Sequence, residues 1–370
     1  MKNIKNIENI ENIDNIDNKE ESMSLFQKFS CKCGDCRNSC CIGWNVTVSR
    51  EEYYRLINLD IDEKTKNKIC LDDLEKVKEI KSKLINAFIS VDHPSKERFA
   101  MIKKNYFGDC VFHGEDGLCE IHKYFGEKSI ASVCREYPRC ETLNKGKSVS
   151  NSCEKVLELL FDDNNCVLYH EDENTLSIMT YIDIMQNRTK TIIERIRDLR
   201  VISNHDSPAI TIYKIGQKED IKYDELSKVY LEFLKYYQTP FINNLYEKIK
   251  TSNVSFEKMK KEFYKKFLDF DVKLEKMVVN HMHFKDFKIN DGNILGDKNY
   301  LSLLSTIYFV LFTTICLSDE ISNQIDLIDF LAKLFRVLGH SNFDVAFGLY
   351  LLNEVKDENK IFSLVNILLP

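Results

Sequence analysis

Five cysteines crowd into the eleven positions 31–41, and Trp44, the single tryptophan of the chain, follows three residues later. Thiols at that density point to disulfide bridges, zinc ligation, iron–sulfur ligation or redox exchange. Zinc asks for four tetrahedral thiolate or imidazole ligands, commonly as two short Cys-x2–4-Cys pairs. Cys33-Gly34-Asp35-Cys36 is one such pair, and no second Cys-x2-Cys occurs. An iron–sulfur cluster also takes four thiolates, and its ligands are spread more irregularly along a chain. Cys40 and Cys41 are adjacent, which is awkward for two ligands of one small tetrahedron. Cys110, Cys119, Cys134, Cys140 and Cys153 extend the set, and His113 and His122 are the imidazoles within the same region. Isolated thiols such as Cys70, Cys166 and Cys316 read as buried, inert cysteines.

Other catalytic signatures are missing. No two glycines are separated by one residue, so the Gly-rich turn of a dinucleotide fold does not occur. There is no P-loop and no Gly-x-Ser-x-Gly. The Cys-x3-Cys-x2-Cys triplet of radical S-adenosylmethionine enzymes is not matched either, because Gly43 stands where its third cysteine would fall.

Length and composition bound what must position these residues. The chain has 370 residues, room for one large or two ordinary domains, and its 44% apolar content can bury a core without cross-links. A net charge of -6 with both signs interspersed leaves no basic field, so nucleic acid is not an expected partner. Only 12 glycines and 5 prolines argue for a mainly α fold rather than a turn-rich β architecture. Residues 1–22 lack the apolar centre and cleavage site of a signal peptide, and their Asn-Ile repeat predicts a disordered, low-complexity extension over 1–23. Residues 300–317 carry no charge over 18 positions, which touches the length of a membrane span. Five Ser and Thr residues inside it, and amphipathic helical patterns on both sides, predict instead the buried central helix of a soluble domain, with no membrane partner. The expected location is the cytoplasm, where thiols stay reduced and cysteines point to metal rather than disulfides.

Twelve of the thirteen cysteines lie between Cys31 and Cys166, which predicts a Cys-rich metal-binding domain over 24–165 with a few short strands, then an all-helical domain over 175–370. Alternation over 44–48 predicts a strand, and Ser49-x-x-Glu52 has the capping-box spacing that opens a helix. Residues 72–89 predict a charged amphipathic helix, 121–125 and 129–137 short helices, and 142–150 a hairpin. From Ser255, Phe256, Met259, Phe263, Phe267, Phe270, Leu274 and Met277 follow helical spacing on one continuous face. The opposite face carries Lys258, Lys260, Lys261, Lys265 and Lys266, a solvated face or a dock for an acidic partner.

Several blocks together resemble the bacterial flagellin lysine N-methylase family, within a wider group of zinc- or iron-chelating Cys-rich domains. They are Phe29-x-Cys31-x4-Cys36-x3-Cys40-Cys41-x-Gly43-Trp44, Gly108-Asp109-Cys110-Val111-Phe112 and Gly117-Leu118-Cys119-Glu120-Ile121-His122. Cys134-Arg135-Glu136-Tyr137-Pro138-Arg139 and Ser148-Val149-Ser150-Asn151-Ser152-Cys153 complete the set. The likeness is sharp over 29–160 and looser beyond, with a local echo at Val278-Val279-Asn280. It implies methylation of lysine side chains on flagellin from S-adenosylmethionine, with a cysteine-held [4Fe-4S] cluster, or zinc as the alternative. It implies Cys31, Cys36, Cys40, Cys41, Cys110, Cys119, Cys134 and Cys153 as metal ligands, and leaves Cys33 and Cys140 outside the pattern.

Methyl transfer to an amine makes limited demands. The lysine must be neutral to attack, and the sulfonium methyl must lie in line with its nitrogen. Tyr137, Glu136 and His122 are candidates for managing the proton, and Arg135 and Arg139 for holding the donor's carboxylate. Trp44 is a candidate to stack on the donor's adenine or to wall off the metal. The competing expectation is a non-enzymatic zinc- or iron-binding module whose helical half binds a protein partner. Nothing in the sequence indicates an oligomeric state.

Overall fold

The computed structural model describes residues 24–60, 71–142, 146–162, 167, 176–203, 223–237, 239–252, 254–285, 287, 295–340, 342–356 and 358–370. The Asn-Ile repeat, Cys70 and Cys166 lie outside them. Among the described residues the protein is mainly α, with sixteen helices and two small antiparallel sheets.

Helix α1 (Leu25–Lys28) precedes a 3-10 turn at Cys33–Asp35. Then come β1 (Thr47–Val48), α2 (Arg50–Ile57), α3 (Leu71–Asn86), β2 (Phe88–Ser90), β3 (Ala100–Ile102), α4 (Glu120–Phe125) and α5 (Ser132–Glu136). The hairpin of β4 (Arg139–Thr142) and β5 (Gly146–Val149) leads into α6 (Glu154–Asp162), α7 (Leu176–Met185), α8 (Ile192–Ser203), α9 (Tyr223–Leu234) and α10 (Pro240–Thr251). The chain closes with α11 (Phe256–Lys266), α12 (Phe270–Lys285), α13 (Leu295–Cys316), α14 (Gln324–Gly339), α15 (Phe343–Val355) and α16 (Glu358–Leu368).

Two compact units result, Cys31–Pro138 and a second made of Met1–Ser30 with Arg139–Pro370. Sequence patterning divides the chain at 165–175, whereas the structure assigns the hairpin and α6 to the helical unit. The cause is apolar: Val149, Val156, Leu157 and Leu160 are buried in the helical core, as are Leu25 and Phe29 around α1.

In the Cys-rich unit the sheet order is β1-β3-β2, with Thr47 opposite Met101 and Phe88 opposite Ile102. The capping box forms as expected: Ser49 Oγ accepts from Glu52 N, and Ser49 N donates to the Glu52 carboxylate. Helix α3 stops at Asn86, short of the expected residue 89, because 88–90 pair with β3.

In the helical unit, α13 is the central strut. Its window Asn299–Cys316 could cross a membrane by length and composition, yet 94% of it is buried inside the protein. Thr313 and Thr314 donate back to the carbonyls of Phe309 and Val310, so their hydroxyls are satisfied within the helix. The expected long helix from Ser255 is two helices: α11 ends at Lys266 and α12 opens at Phe270, with the Asp269 carbonyl accepting from Val272 and Lys273. The lysine face is only partly solvated. Lys260 Nζ donates to the Ile367 carbonyl, and Lys266 Nζ donates to those of Ser318 and Ile321. These contacts cap chain ends and turns, which a helical-wheel reading does not anticipate.

Candidate metal centre

The Cys-rich unit brings four of its thiols into one neighbourhood. Cys40, Cys110, Cys119 and Cys134 each lie within electrostatic reach of the other three. Cys110, Cys119 and Cys134 pack against one apolar cluster that includes Phe112, Ile121, Ile130 and Ala131. Burial is the main force on these thiols. It pushes Cys110 up to about 11 and raises Cys119 and Cys134 as well, with neighbouring thiols adding to the rise. Backbone N–H groups oppose it: that of Phe112 reaches the Cys110 thiol, and those of Ile121 and His122 reach the Cys119 thiol. Such N–H···S contacts favour thiolate and tune a bound centre.

Distant segments are stitched together to form this neighbourhood. Cys110 N donates to Cys41 O at 2.8 Å, and Ile42 bridges Asp109, which couples the first cysteine loop to the second. His113 bridges Cys119, and His113 Nε2 is buried with no hydrogen-bond partner among the described residues. Gly117, at φ +76°, makes the turn before Cys119; a Cβ there would sit 2.9 Å from the Gly34 carbonyl oxygen. Helix α5, which carries Cys134, is anchored by Glu52 Oε1 accepting from Ser132 N at 2.7 Å. Burial works to raise Glu52, and the hydrogen bonds from Ser132 and Ser49 outweigh it, so the carboxyl is held below its usual value. Arg55 fixes the approach to α5 by donating to the carbonyls of Lys128, Ser129 and Ile130.

The donor set suits a centre that several thiolates share. Among the described residues no three Cys, His, Asp or Glu side chains are arranged to hold a single metal ion. Four thiolates around one zinc would approach to about 3.8 Å of each other, from Zn–S bonds of about 2.3 Å.

Of the other expected ligands, Cys31 is exposed, Cys36 and Cys41 are half-buried, and Cys153 belongs to the helical unit; of the two outside the pattern, Cys33 is exposed and Cys140 belongs to the helical unit. The Cys33 thiol is raised first by the Cys31 beside it and then by burial. Trp44 Nε1 donates to the Cys40 carbonyl, and its ring meets Tyr137 edge-on at 4.8 Å. That geometry suits the walling role for Trp44. Glu136 is exposed beside Arg135 at 3.5 Å, and His122 is exposed on α4. Arg139 lies in the helical unit, where it donates to the Phe29 carbonyl and covers the Phe29 ring at 4.6 Å.

The helical unit holds a polar cluster that sequence reasoning missed. Asn280 Nδ2 donates to Val149 O and Asn151 Oδ1, and Asn151 Nδ2 donates to Met277 O, so two motif segments lock together across more than 120 residues of sequence. Nearby, Ser152 Oγ lies 2.7 Å from His340 Nε2, and Ser302 Oγ donates to Asp344 at 2.6 Å. His281 Nε2 and Lys285 Nζ lie 3.7 and 3.6 Å from the Asp344 carboxylate. Burial holds His281 below its ordinary value, although Asp344 works against it. The only signal in sequence was Val278-Val279-Asn280, directly before His281.

No family model and no solved structure matches the chain. Curated relatives do. A protein of Salmonella typhimurium named lysine-N-methylase is 22% identical over 158 residues, 39% of this chain and 33% of that protein. A lysine-N-methylase of Salmonella choleraesuis is likewise 22% identical over 157 residues, 39% of this chain and 32% of that protein. A flagellar biosynthetic protein FliU of Salmonella muenchen is 24% identical over 150 residues, 40% of this chain and 79% of that protein. The chain therefore spans about a third of the length of the lysine-N-methylases it matches. The resemblance read from the cysteine blocks and these relatives agree on a lysine-methylase and flagellar context.

Proposed function

We propose that this protein is a cytoplasmic methyltransferase that modifies lysine side chains of flagellin, with S-adenosylmethionine as donor and a [4Fe-4S] cluster held by Cys40, Cys110, Cys119 and Cys134. The relatives' names support the reaction class. The observation that carries the metal part is the set of four thiols in mutual electrostatic reach, three of them packed against one apolar cluster, with backbone N–H groups directed at Cys110 and Cys119. When bound, the donor supplies an electrophilic sulfonium methyl. The chain's own residues supply the rest. Tyr137, half-buried against Trp44, orients the neutral lysine amine by accepting an N–H hydrogen bond at its phenolic oxygen, and the exposed Arg135 pairs with the donor's carboxylate. Trp44 shields the Cys40 loop from water.

The test has two arms. Anaerobically purified protein is expected to carry iron and sulfide with visible charge-transfer absorption, and a colourless protein with stoichiometric zinc would overturn the cluster. Incubation with S-adenosylmethionine and purified flagellin should add methyl groups to flagellin lysines in peptide mass spectra. No lysine gaining mass under reducing conditions, with the metal centre intact, would leave a non-enzymatic metal-binding module.

A further inference from the structure

His113 lies between two of the cysteine blocks, and a short hairpin fixes its place. Glu120 N donates to the Phe112 carbonyl and Gly114 N to that of Leu118, both at 2.8 Å. His113 and Cys119 therefore face each other as an antiparallel pair that lies between two ladder bonds and shares neither. In such a pair the Cα atoms are about 4.5 Å apart and the two side chains stand close together on one face. The tip is held as well. Gly117 N donates to the Gly114 carbonyl at 3.0 Å, Leu118 N to Asp116 Oδ1 at 3.2 Å, and Lys123 Nζ pairs with Asp116 at 2.6 Å. His113 N also donates to the Cys110 carbonyl at 2.9 Å, so this one residue is tied to both motif cysteines.

Its Nε2 is shut off from solvent and has no hydrogen-bond partner among the described residues. Buried polar atoms are seldom left unmet, so each such atom asks for a missing partner. A metal-bound thiolate is that kind of partner: it carries negative charge, and an N–H directed at it makes a charge-assisted hydrogen bond. Four thiolates already complete the ligand set of an iron–sulfur cluster or of a single zinc, which leaves the imidazole as a donor.

We propose that His113 is a positioning residue of the metal centre, whose Nε2–H donates a hydrogen bond to a sulfur of the bound centre, with Cys119 the thiolate beside it. This role rests on the thiolate-held centre proposed above and adds a residue outside its ligands.

The test compares wild-type protein with His113→Leu and His113→Gln, each full-length and purified anaerobically. Excess chelator is added, and the metal entering solution is followed with time. Leucine has no donor, whereas glutamine offers an N–H at similar reach. His113→Leu should lose metal about tenfold faster or more, and His113→Gln should recover part of that difference, with far-UV circular dichroism of both matching wild type. Equal rates in wild type and His113→Leu would overturn the proposal. So would equally fast loss from both variants, the result expected if the ring only fills space. Should His113→Leu fail to load metal, His113→Gln decides: loading supports the donor role, and failure to load overturns it. The identity of the metal is read separately. A colourless zinc protein sinks the cluster and leaves the same rates to judge His113, while an iron–sulfur protein with identical rates in all three keeps the cluster and removes His113.

Discussion

The two compact units of this protein are built on different physical terms. The helical unit buries a continuous apolar core that runs from Leu25 through α13 to Leu369, rich in aromatic contacts such as Phe309–Phe343 at 4.8 Å and Phe233–Phe347 at 4.7 Å. The Cys-rich unit has a short core around Val48, Leu56, Ile80, Leu84 and Phe112, and much of its order comes from single hydrogen bonds to loops. A unit of about a hundred residues with so little apolar cover gains from ligands that cross-link its loops. The quartet of thiols lies where those loops meet. The helical unit needs no such aid, and its one cysteine among the buried core residues, Cys316, packs as an ordinary apolar side chain.

That contrast can be broken experimentally. The largest effect is expected from Cys134→Ala or Cys119→Ala. Either should release the bound metal and remove the thermal transition of the Cys-rich unit, since metal binding supplies folding free energy on the order of 10 kcal/mol in small metal-dependent domains. The helical transition should persist in calorimetry. A melting profile and metal content identical to wild type would mean these thiols are not ligands.

Phe343→Ala should act in the opposite unit. This buried side chain meets Tyr237, Phe233 and Phe309, and its truncation is expected to cost about 3–5 kcal/mol. Metal content and visible absorption should be unchanged, and their loss would show that the helical core and the metal centre are coupled.

Acid should also single out the helical unit. His281 is buried and its folded value is lowered, chiefly by burial, so the unfolded chain binds the proton more readily. Stability from this group is complete above the ordinary histidine value near 6.5 and is lost as pH falls below it. Asp344 acts in the same direction at lower pH. Burial raises its carboxyl, and His281, Lys285 and Ser302 more than offset that rise. Chemical denaturation between pH 7 and 5 should therefore show a falling midpoint for the helical transition, and His281→Gln should flatten the slope. An equally steep slope in the variant would remove His281 as its source.

The smallest effect tests the scaffold of the Cys-rich unit. Ser49→Ala removes the N-cap of α2 and should lower that unit's transition alone by about 1 kcal/mol. A shift in the helical transition instead would contradict the division between the units.

Much of the local structure was legible beforehand for reasons visible in these residues. Ser49-x-x-Glu52 announces its helix because both orphan amides are met within four residues, and the Glu52 carboxylate was available for Ser132 only once the chain folded back. The apolar stretch of α13 is a buried strut in which Ser302, Ser305, Thr313 and Thr314 find partners nearby. The break between α11 and α12 was not legible, since Phe267 and Phe270 keep the apolar face continuous across it. Nor was the fate of Lys260, Lys266 and Arg139, whose carbonyl partners lie 52 to 110 residues away.

By itself, the sequence determined that this is a mainly helical, Cys-rich protein whose motif blocks resemble a lysine-methylase family, because helical periodicity, capping and cysteine spacing are all short-range properties. Tertiary structure decided which thiols keep company. Cys40, Cys110, Cys119 and Cys134 share one neighbourhood, Cys31 and Cys33 face solvent, and Cys153 folds with the helical unit. Those choices depend on where loops close and what covers them. Sequence separation carries no information about which thiols the closed loops bring together.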